Sequence, residues 1–241
     1  MASNHVHMLW VNGELGRLEF DALSSFVRCR FDVQLWNYGL LGNVPKGVKL
    51  RDAREVLPES SLFVNRQGSY AAFSDLFRYA VLRKFGGLYS DVDVVALASP
   101  EALPDTPFLV TERMRDGRSK INGNVIHVPQ PRSGDLLDLA YAYASVFPKD
   151  KISWSEIGPS LLTAIVGIHP EHGFQIMPPD FANGIDWWDC PGKLLSDQAI
   201  PERAAFLHLY NDMWRRSRTD KSLSPPIGSM LEQALTVNRA S

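Results

Sequence analysis

The sequence predicts an α/β domain with a mostly parallel central sheet. Short apolar runs alternate with amphipathic helical segments along the chain, and the first elements have the order and spacing of a strand–helix–strand unit. We find no internal repeat and no low-complexity stretch in this alternation. A chain of 241 residues can bury a sizeable core without disulfide bonds, so we expect one domain over residues 1–241.

The N-terminal elements support the parallel arrangement. The apolar run His7–Val11, ended by Asn12-Gly13, predicts a buried strand and a turn. Apolar residues at helical spacing predict a helix over Leu15–Arg28, and alternation predicts a second strand over Phe31–Trp36. A strand, a helix and a strand at this spacing favour parallel pairing. A short helix is expected around Asp52–Leu57.

The clearest helix covers Tyr70–Lys84, where an apolar stripe follows one face and Gly86-Gly87 provides a C-terminal stop. The next segment, Leu88–Leu97, predicts a strand that contains two acids. The remaining predicted strands are Phe108–Glu112, Asn124–Val128, Phe174–Met177 and Ala205–Tyr210, and the remaining predicted helices are Leu136–Phe147, Ser155–Ile168 and Met230–Val237.

The composition is that of a globular protein, with 45% hydrophobic and 22% charged residues. A net charge of −2 argues against general binding of polyanions. The two cysteines, Cys29 and Cys190, form no Cys-x-x-Cys pair, which gives no zinc framework and is typical of a reducing compartment. The first residues do not have the pattern of a signal peptide, and no window approaches the ~18 apolar residues of a membrane helix. We therefore expect a cytoplasmic protein.

Asp91-Val92-Asp93 is the first candidate for chemistry. If the segment is extended, both carboxylates face the same side and could converge on one cation. Oxygen ligands suit Mg²⁺ or Mn²⁺, and such an ion can neutralise a diphosphate leaving group. The chain has 17 aspartates, so roughly one Asp-x-Asp is expected by chance. The apolar neighbours strengthen the hypothesis, because unpaired acids in such surroundings are costly.

Asp75 and Arg78 lie on one face of the preceding predicted helix. One interpretation is a surface ion pair worth only ~0.2–0.5 kcal/mol. The other is an arginine whose planar fork reaches a phosphate or sugar oxygen. The spacing leaves both open.

Together, Ser74–Tyr79 and Lys84–Asp93 resemble the signature of glycosyltransferase family 32, which groups with the sugar-binding DXD glycosyltransferases. The large clostridial glucosylating toxins carry a similar block. The joint match of Ser-Asp, Arg, Gly-Gly, Tyr and Asp-x-Asp is much more specific than any one part. The resemblance covers nearly the whole chain. It implies a GT-A type nucleotide-sugar transferase fold, in a single Rossmann-like domain, and a metal-dependent, retaining sugar transfer.

The resemblance also implies donor-binding residues. Trp10, which follows Leu9 on the first strand, would pack against the nucleotide base, although a core position is the competing interpretation. Ser74 and Tyr89 belong to the signature block. Asn124 lies in a segment that places an asparagine near the donor sugar in the family.

The implied catalytic residues are Asp75, Arg78, Asp91 and Asp93. Asp75 and Arg78 would orient the donor sugar, Asp91 would lie on the ribose or sugar side, and Asp93 would hold Mn²⁺ or Mg²⁺.

The segment His208–Trp214 resembles the C-terminal His-to-Trp motif of the family. Met213 stands where many members have a serine, so a hydroxyl ligand for the metal is missing. We therefore expect His208, Asn211 or Asp212 to complete the metal or diphosphate site. The predicted metal ligands are Asp91, Asp93, His208 and Asn211. A buried core histidine is the competing interpretation of His208.

The predicted function is transfer of a sugar from a nucleoside diphosphate sugar, with a UDP-sugar as the first candidate, to a saccharide or lipid-linked acceptor in polysaccharide biosynthesis. A protein or nucleic-acid acceptor stays open. Two other classes compete. A haloacid-dehalogenase-like phosphotransferase also uses Asp-x-Asp, but on its first strand and followed by threonine. A non-catalytic sugar-nucleotide-binding module would keep the fold without turnover.

Overall fold

The computed structural model describes residues 4–11, 13–131 and 133–236. Strands and helices alternate over most of this range, as predicted. The strands are β1 (His5–Leu9), β2 (Asp32–Asn37), β3 (Lys49–Asp52), β4 (Gly87–Ser90), β5 (Val94–Ala96), β6 (Phe108–Arg113), β7 (Ser119–Val128), β8 (Gln175–Met177) and β9 (Phe206–His208). The α-helices are α1 (Arg17–Arg28), α2 (Ala71–Phe85), α3 (Leu136–Val146), α4 (Pro159–Ile168), α5 (Asn211–Ser217) and α6 (Met230–Thr236).

The central sheet has seven strands in the order β3-β2-β1-β4-β7-β6-β8. Strand β7 runs antiparallel to both of its neighbours, and the other neighbouring strands are parallel. The predicted α/β class with a mostly parallel sheet is therefore confirmed. Strands β1, β4, β6 and β8 all end at one edge of the sheet, the carboxyl edge, where α/β proteins commonly bind ligands.

The single strand predicted over Leu88–Leu97 is wrong. Strand β4 ends at Ser90, residues 91–93 form a turn, and β5 leaves the central sheet to pair with β9. The physical reason is burial on both sides of β5: Val94 and Val95 are fully buried in two different apolar clusters. A second layer, built with α1 and β9, receives these side chains. The two acids therefore lie at the break between two sheets.

His7 fixes the start of β4 from the neighbouring strand β1. Its Nδ1 accepts a hydrogen bond from Trp36 Nε1 at 3.2 Å, so its Nε2 carries the proton and donates to the Gly86 carbonyl at 3.1 Å. Burial lowers the pKa of His7 to about 4, which keeps the ring neutral. Gly86 follows α2 with φ of 65°, a conformation that favours glycine. The predicted glycine stop after this helix is thus confirmed.

Other boundaries differ from the sequence predictions by a few residues. Helix α4 begins at Pro159 rather than at Ser155, because proline suits the first turn of a helix. Strand β3 and helix α5 had no counterpart in the sequence predictions. Asn12 and Val237, which belonged to a predicted turn and a predicted helix, lie outside the described residues. In the described ranges, no helix is both long and apolar enough to span a membrane.

Candidate donor and metal site

The acids of Asp91-Val92-Asp93 lie where three parts of the fold meet at the carboxyl edge. The Asp91 N–H donates to the Asn124 carbonyl on β7 at 2.8 Å. The Leu209 N–H, just after β9, donates to the Asp93 carbonyl at 2.8 Å. Hydrogen bonds to β7 and to the residue after β9 therefore fix the backbone of the turn. The two carboxylates contact two different groups of side chains.

The first group, which we call the α2 half, comprises Ser74, Asp75, Arg78, Tyr89 and Asp91. Arg78 is 5% exposed, with Nη1 3.1 Å from Asp75 Oδ1 and Nη2 2.9 Å from Asp91 Oδ1. Its guanidinium lies over the Tyr89 ring, 5.0 Å from the ring centre, and the Tyr89 hydroxyl is 2.8 Å from Ser74 Oγ. Asp75 and Arg78 are therefore a buried pair, and the surface ion pair considered from the sequence is excluded.

Most donors of Arg78 are used inside the protein. Besides the two carboxylates, its Nε donates to the Ser74 carbonyl at 3.3 Å and its Nη2 to Ser74 Oγ at 3.4 Å. Arg78 thus holds Asp91 in place. A direct contact between Arg78 and a donor sugar stays a prediction.

Two glycines make room for this ion pair. A β-carbon at Gly123 would lie 2.2 Å from Arg78 Nη1, and one at Gly158 would lie 2.3 Å from Asp75 Oδ2. Gly158 directly precedes α4, so the Asp75 carboxylate faces the N-terminal end of that helix, where negative charge is favourable. The segments Asn122-Gly123-Asn124 and Gly158-Pro159 therefore pack over the α2 half.

Burial is the main influence on the charges of the α2 half. It raises the pKa of Asp75 to about 6, against the opposing effect of Arg78. Burial also raises the pKa of Asp91, again with Arg78 opposing the shift. Burial disfavours the charged form of Arg78, but Asp91 and Asp75 outweigh it and the pKa of Arg78 is raised. Arg78 therefore stays charged between the two carboxylates.

The second group, which we call the β9 half, comprises Asp93, Asn183, His208 and Asn211. His208 ends β9, and its Nε2 lies 3.6 Å from Asp93 Oδ2. Its other ring nitrogen, Nδ1, is 3.0 Å from Asn183 Oδ1. Burial opposes the charged form of both groups, but their mutual attraction outweighs it. The pKa of Asp93 is therefore lowered and the pKa of His208 is raised.

Asn211 reaches the acids through its backbone. Its N–H donates to Asp93 Oδ2 at 2.8 Å. Its side-chain Nδ2 donates to Glu19 Oε1 at 2.7 Å, and its Oδ1 accepts from Lys221 at 3.2 Å. Glu19 is fully buried on α1 and forms an ion pair with Lys221. The Asn211 amide is thus engaged with α1 and the C-terminal segment, and the structure does not bring it to Asp93.

Of the four predicted metal ligands, Asp91, Asp93, His208 and Asn211, the structure brings two together. The 3.6 Å between Asp93 Oδ2 and His208 Nε2 is longer than a hydrogen bond. It lies within the ~3–4 Å that separates two ligands of one cation with bonds of ~2.1 Å. Asp91 Oδ1 accepts from Arg78 instead.

The donor set fits a partly solvated ion. In the part of the chain that the structure describes, no group of three or more His, Cys, Asp or Glu side chains is arranged to hold a metal. Mg²⁺ and similar ions typically use one or two protein ligands and take the rest from water and substrate phosphates. Asp93 and His208 match that pattern.

The predicted donor-binding residues lie along the carboxyl edge. Leu9 ends β1 and is buried, and Trp10 follows it as a half-buried residue whose indole N–H donates to the Gly13 carbonyl at 2.9 Å. Asn124 is fully buried and donates from Nδ2 to Asn183 Oδ1 at 2.9 Å. Tyr89 is fully buried beneath Arg78. Contacts of these residues with a donor stay predictions.

Sequence reasoning missed Asn183 and Glu19. Glu19 had a usable signal, because it lies on the same helical face as the apolar residues Leu23 and Phe26. An acid on an apolar helix face needs a buried partner. Asn183 had no such signal, because it lies outside any helix or strand and outside every motif of the sequence.

Comparison with known proteins identifies the central segment. Residues 35–109 match the sequence family described as "Glycosyltransferase sugar-binding region containing DXD motif". This range contains the end of β2, all of α2, both strands around the turn, and the triplet Asp91-Val92-Asp93. The match includes the whole α2 half.

Solved structures with a similar chain path are glycosyltransferases at low identity. The PaToxG glycosyltransferase is 16% identical, with 70% of each chain covered and a TM-score of 0.49. The glycosyltransferase GlyE of Streptococcus pneumoniae is 14% identical, with 98% of this chain and 61% of that chain covered and a TM-score of 0.47. Mouse xyloside xylosyltransferase 1 is 13% identical, with 87% of this chain and 98% of that chain covered and a TM-score of 0.46. Each is a similarity only.

The resemblance found in the sequence is therefore confirmed for the segment that carries the acids. The strand order and the turn after β4 agree with the predicted fold class. Residues 35–109 are similar to the DXD sugar-binding region of glycosyltransferases, and they lie in an α/β fold with a mostly parallel central sheet.

Proposed function

We propose that this protein moves a sugar from a nucleoside diphosphate sugar to an acceptor hydroxyl, in a metal-dependent reaction that retains the anomeric configuration. A UDP-sugar is the first candidate donor, and Mn²⁺ or Mg²⁺ the ion. One observation carries the proposal: a single triplet places Asp91 against Arg78 at 2.9 Å and Asp93 opposite His208 at 3.6 Å, inside the matched region 35–109.

Each part of the donor has a counterpart in the site. Trp10, half-buried at the carboxyl end of β1, offers an indole to the base. Asp91, with a side chain 26% exposed, can accept hydrogen bonds from hydroxyls of the ribose or the sugar. Asp93 and His208 would hold the ion, which when bound neutralises the charge of the diphosphate as a Lewis acid.

The transfer itself exchanges one bond for another. The acceptor oxygen bonds to the anomeric carbon while the bond from that carbon to the diphosphate oxygen breaks, and the acceptor proton passes to the departing diphosphate. Attack and departure on the same face give retention. Asp75 and Arg78 contribute by holding Asp91 rigid, and a rigid group that orients the sugar lowers the entropic part of the barrier.

We place the acceptor on the β6 and β8 side of the sheet, because Trp10 occupies the β1 side. Trp187 and Trp188, beyond β8, are half-buried with ring centres 5.4 Å apart. Arg115, at the tip of the β6–β7 hairpin, lies 5.1 and 5.2 Å from the two rings. Indole surfaces of this kind stack on sugars, so a saccharide or lipid-linked oligosaccharide is the proposed acceptor.

A donor screen tests the proposal. Purified protein is incubated with UDP- and GDP-sugars, with and without Mn²⁺, and release of free sugar and nucleoside diphosphate is followed by chromatography. We expect slow hydrolysis of one donor that needs Mn²⁺ and is lost in Asp93→Asn. Para-nitrophenyl phosphate serves as the probe for a phosphotransferase.

Three outcomes would count against the proposal. Cleavage of the phosphate ester without any effect on sugar nucleotides would support the phosphotransferase. Calorimetric binding of a donor with no hydrolysis and no transfer to any saccharide would support a non-catalytic module. Equal hydrolysis with and without divalent ions would remove the metal from the mechanism.

A further inference from the structure

Asn183 is a buried residue of the β9 half whose side-chain amide has partners on three different strands. It is 1% exposed, and its Nδ2 donates to the Thr111 carbonyl on β6 at 3.0 Å. Its Oδ1 accepts from Asn124 Nδ2 at 2.9 Å and faces His208 Nδ1 at 3.0 Å. One buried amide thus joins β6, β7 and β9.

The Thr111 carbonyl determines how the Asn183 amide is oriented. A backbone carbonyl only accepts hydrogen bonds, so the amide nitrogen must face Thr111 and the amide oxygen must face His208. Because that oxygen also only accepts, the proton of the His208 ring must lie on Nδ1. In the neutral ring, Nε2 then carries a lone pair.

That lone pair is directed towards a carboxylate. His208 Nε2 lies 3.6 Å from Asp93 Oδ2, so two electron-rich atoms face each other when the ring is neutral. A cation between them removes the repulsion. Histidines that bind metals commonly donate their second N–H to a carbonyl or carboxylate oxygen, which fixes the tautomer and the ring orientation.

We propose that Asn183 is a positioning residue that fixes His208 as the Nδ1–H tautomer and so aims Nε2 at the cation held with Asp93. The inference rests on the metal of the proposed function. It assigns a role in metal binding to a residue outside the sugar-binding block, through its contacts with Thr111 and His208. His7 provides an internal contrast, because its contacts with Trp36 and Gly86 fix the opposite tautomer.

The tautomer can be read without metal or substrate. Long-range ¹⁵N–¹H NMR spectra of the metal-free, ¹⁵N-labelled protein, recorded at the alkaline end of a pH titration where the ring signals no longer shift, distinguish the two forms. We expect Nδ1–H for His208 and Nε2–H for His7 in the same spectrum. Assignment uses His208→Gln and His7→Gln.

Two substitutions separate the acceptor role of Asn183 from its structural role. Asn183→Leu removes the acceptor, so the proton should move to Nε2, where it can donate to Asp93. Asn183→Asp keeps an oxygen towards His208 but sets a second oxygen against the Thr111 carbonyl. It should therefore lose stability and yet keep the Nδ1–H tautomer. Asn43→Leu, which removes an amide bonded to Leu15, is the control for loss of a structural asparagine.

Metal binding is then measured on the same proteins by electron paramagnetic resonance of Mn²⁺, with Mn²⁺ alone and with Mn²⁺ plus UDP. Asn183→Leu should weaken Mn²⁺ binding by about 10- to 100-fold, while Asn183→Asp and Asn43→Leu stay within about threefold of the wild type.

A wild-type His208 with its proton on Nε2 would overturn the inference whatever the metal does. Mn²⁺ binding that falls equally in Asn183→Leu and Asn183→Asp would also overturn it, because only stability would then explain the loss. If the tautomer is the expected one but the wild type binds no Mn²⁺, the metal dependence of the proposed function is wrong. The role of Asn183 in metal binding would then be wrong as well.

Discussion

The α2 half and the β9 half of the site use adjacent acids in opposite ways. In the α2 half, Asp91 and Asp75 share one buried arginine, which lies between the two carboxylates. In the β9 half, Asp93 faces a histidine whose second nitrogen is already engaged by Asn183. The comparison indicates that the α2 half maintains its geometry by itself, whereas the β9 half is the one that the proposed cation would complete.

The largest expected effect concerns activity in the β9 half. Asp93→Asn keeps the size of the side chain and an oxygen for the Asn211 N–H, so the fold should survive. The charge that holds the cation is lost, and donor hydrolysis with Mn²⁺ should fall by about 100- to 1,000-fold. Turnover is measured by release of nucleoside diphosphate. Asp105→Asn, at an exposed position, is the control. Turnover of Asp93→Asn within about threefold of the wild type would contradict the role of Asp93.

The next effect concerns stability in the α2 half. Arg78→Met leaves the buried carboxylate of Asp75 and the partly exposed carboxylate of Asp91 without this partner and should lower the free energy of unfolding by about 3–5 kcal/mol. Arg83→Met on the same helix is the matched control. Arg83 pairs with Asp138 at the surface, where both side chains are partly exposed, so the loss should stay below about 1 kcal/mol. Urea unfolding measures both. Equal losses would show that burial does not distinguish the two arginines.

The free energy of unfolding should depend on pH through the ionisation of Asp75. Its pKa in the folded protein is about 6, above the ~3.9 of an unfolded aspartate. The folded state then binds more protons between pH ~4 and ~6, so the contribution of Asp75 to stability is present at low pH and is lost as pH rises through this window. The free energy of unfolding of the wild type, relative to Asp75→Asn, should fall by about 2–3 kcal/mol from pH 4 to 7.

Asp138 provides the opposite case for the same urea titration. Burial would raise its pKa, but the Gly134 N–H and Arg83 outweigh burial and lower it. Its contribution to stability is therefore present above the unfolded pKa of ~3.9 and is lost as pH falls below it. The difference in free energy of unfolding between the wild type and Asp138→Asn should change only at acidic pH.

For Asp75, the contradicting outcome is a free energy of unfolding of the wild type that rises relative to Asp75→Asn between pH 4 and 7.

The smallest effect compares a hydroxyl of the α2 half with one that contacts the β9 half. Tyr89→Phe removes a buried hydrogen bond of 2.8 Å to Ser74 and should cost about 0.5–1.5 kcal/mol. Tyr210→Phe removes a contact of 3.4 Å to Asn183, which should cost less than ~0.5 kcal/mol. Thermal and urea unfolding of the two variants give the values. A larger loss in Tyr210→Phe than in Tyr89→Phe would mean that the hydroxyl contact with Asn183 stabilises the fold more than the one with Ser74.

Local patterns were sufficient for the class of fold and for the segment that carries the acids. Apolar runs predicted helix α2 and the parallel pair β1 and β2, because these elements are buried on nearly every side and their sequences are correspondingly apolar. The glycine pair after α2 and the spacing of Asp75, Arg78 and Asp91 predicted a shared site, because a helix, a turn and a strand bring them together over few residues.

The tertiary structure alone decided how the site is arranged. The strand predicted through Asp91 and Asp93 breaks into a turn because Val94 and Val95 are drawn into two separate clusters. The burial of Arg78 depends on the missing β-carbons of Gly123 and Gly158, which come from two distant segments.

The β9 half depends most on contacts that are remote in sequence. Asn183 meets Thr111 across 72 positions and His208 across 25. The sequence determined that the carboxylates of Asp91 and Asp93 lie close to helix α2, because neighbours in sequence are neighbours in space. Only the folded chain decided which acid meets an arginine and which meets a histidine, because hydrogen-bond partners are selected by packing in three dimensions.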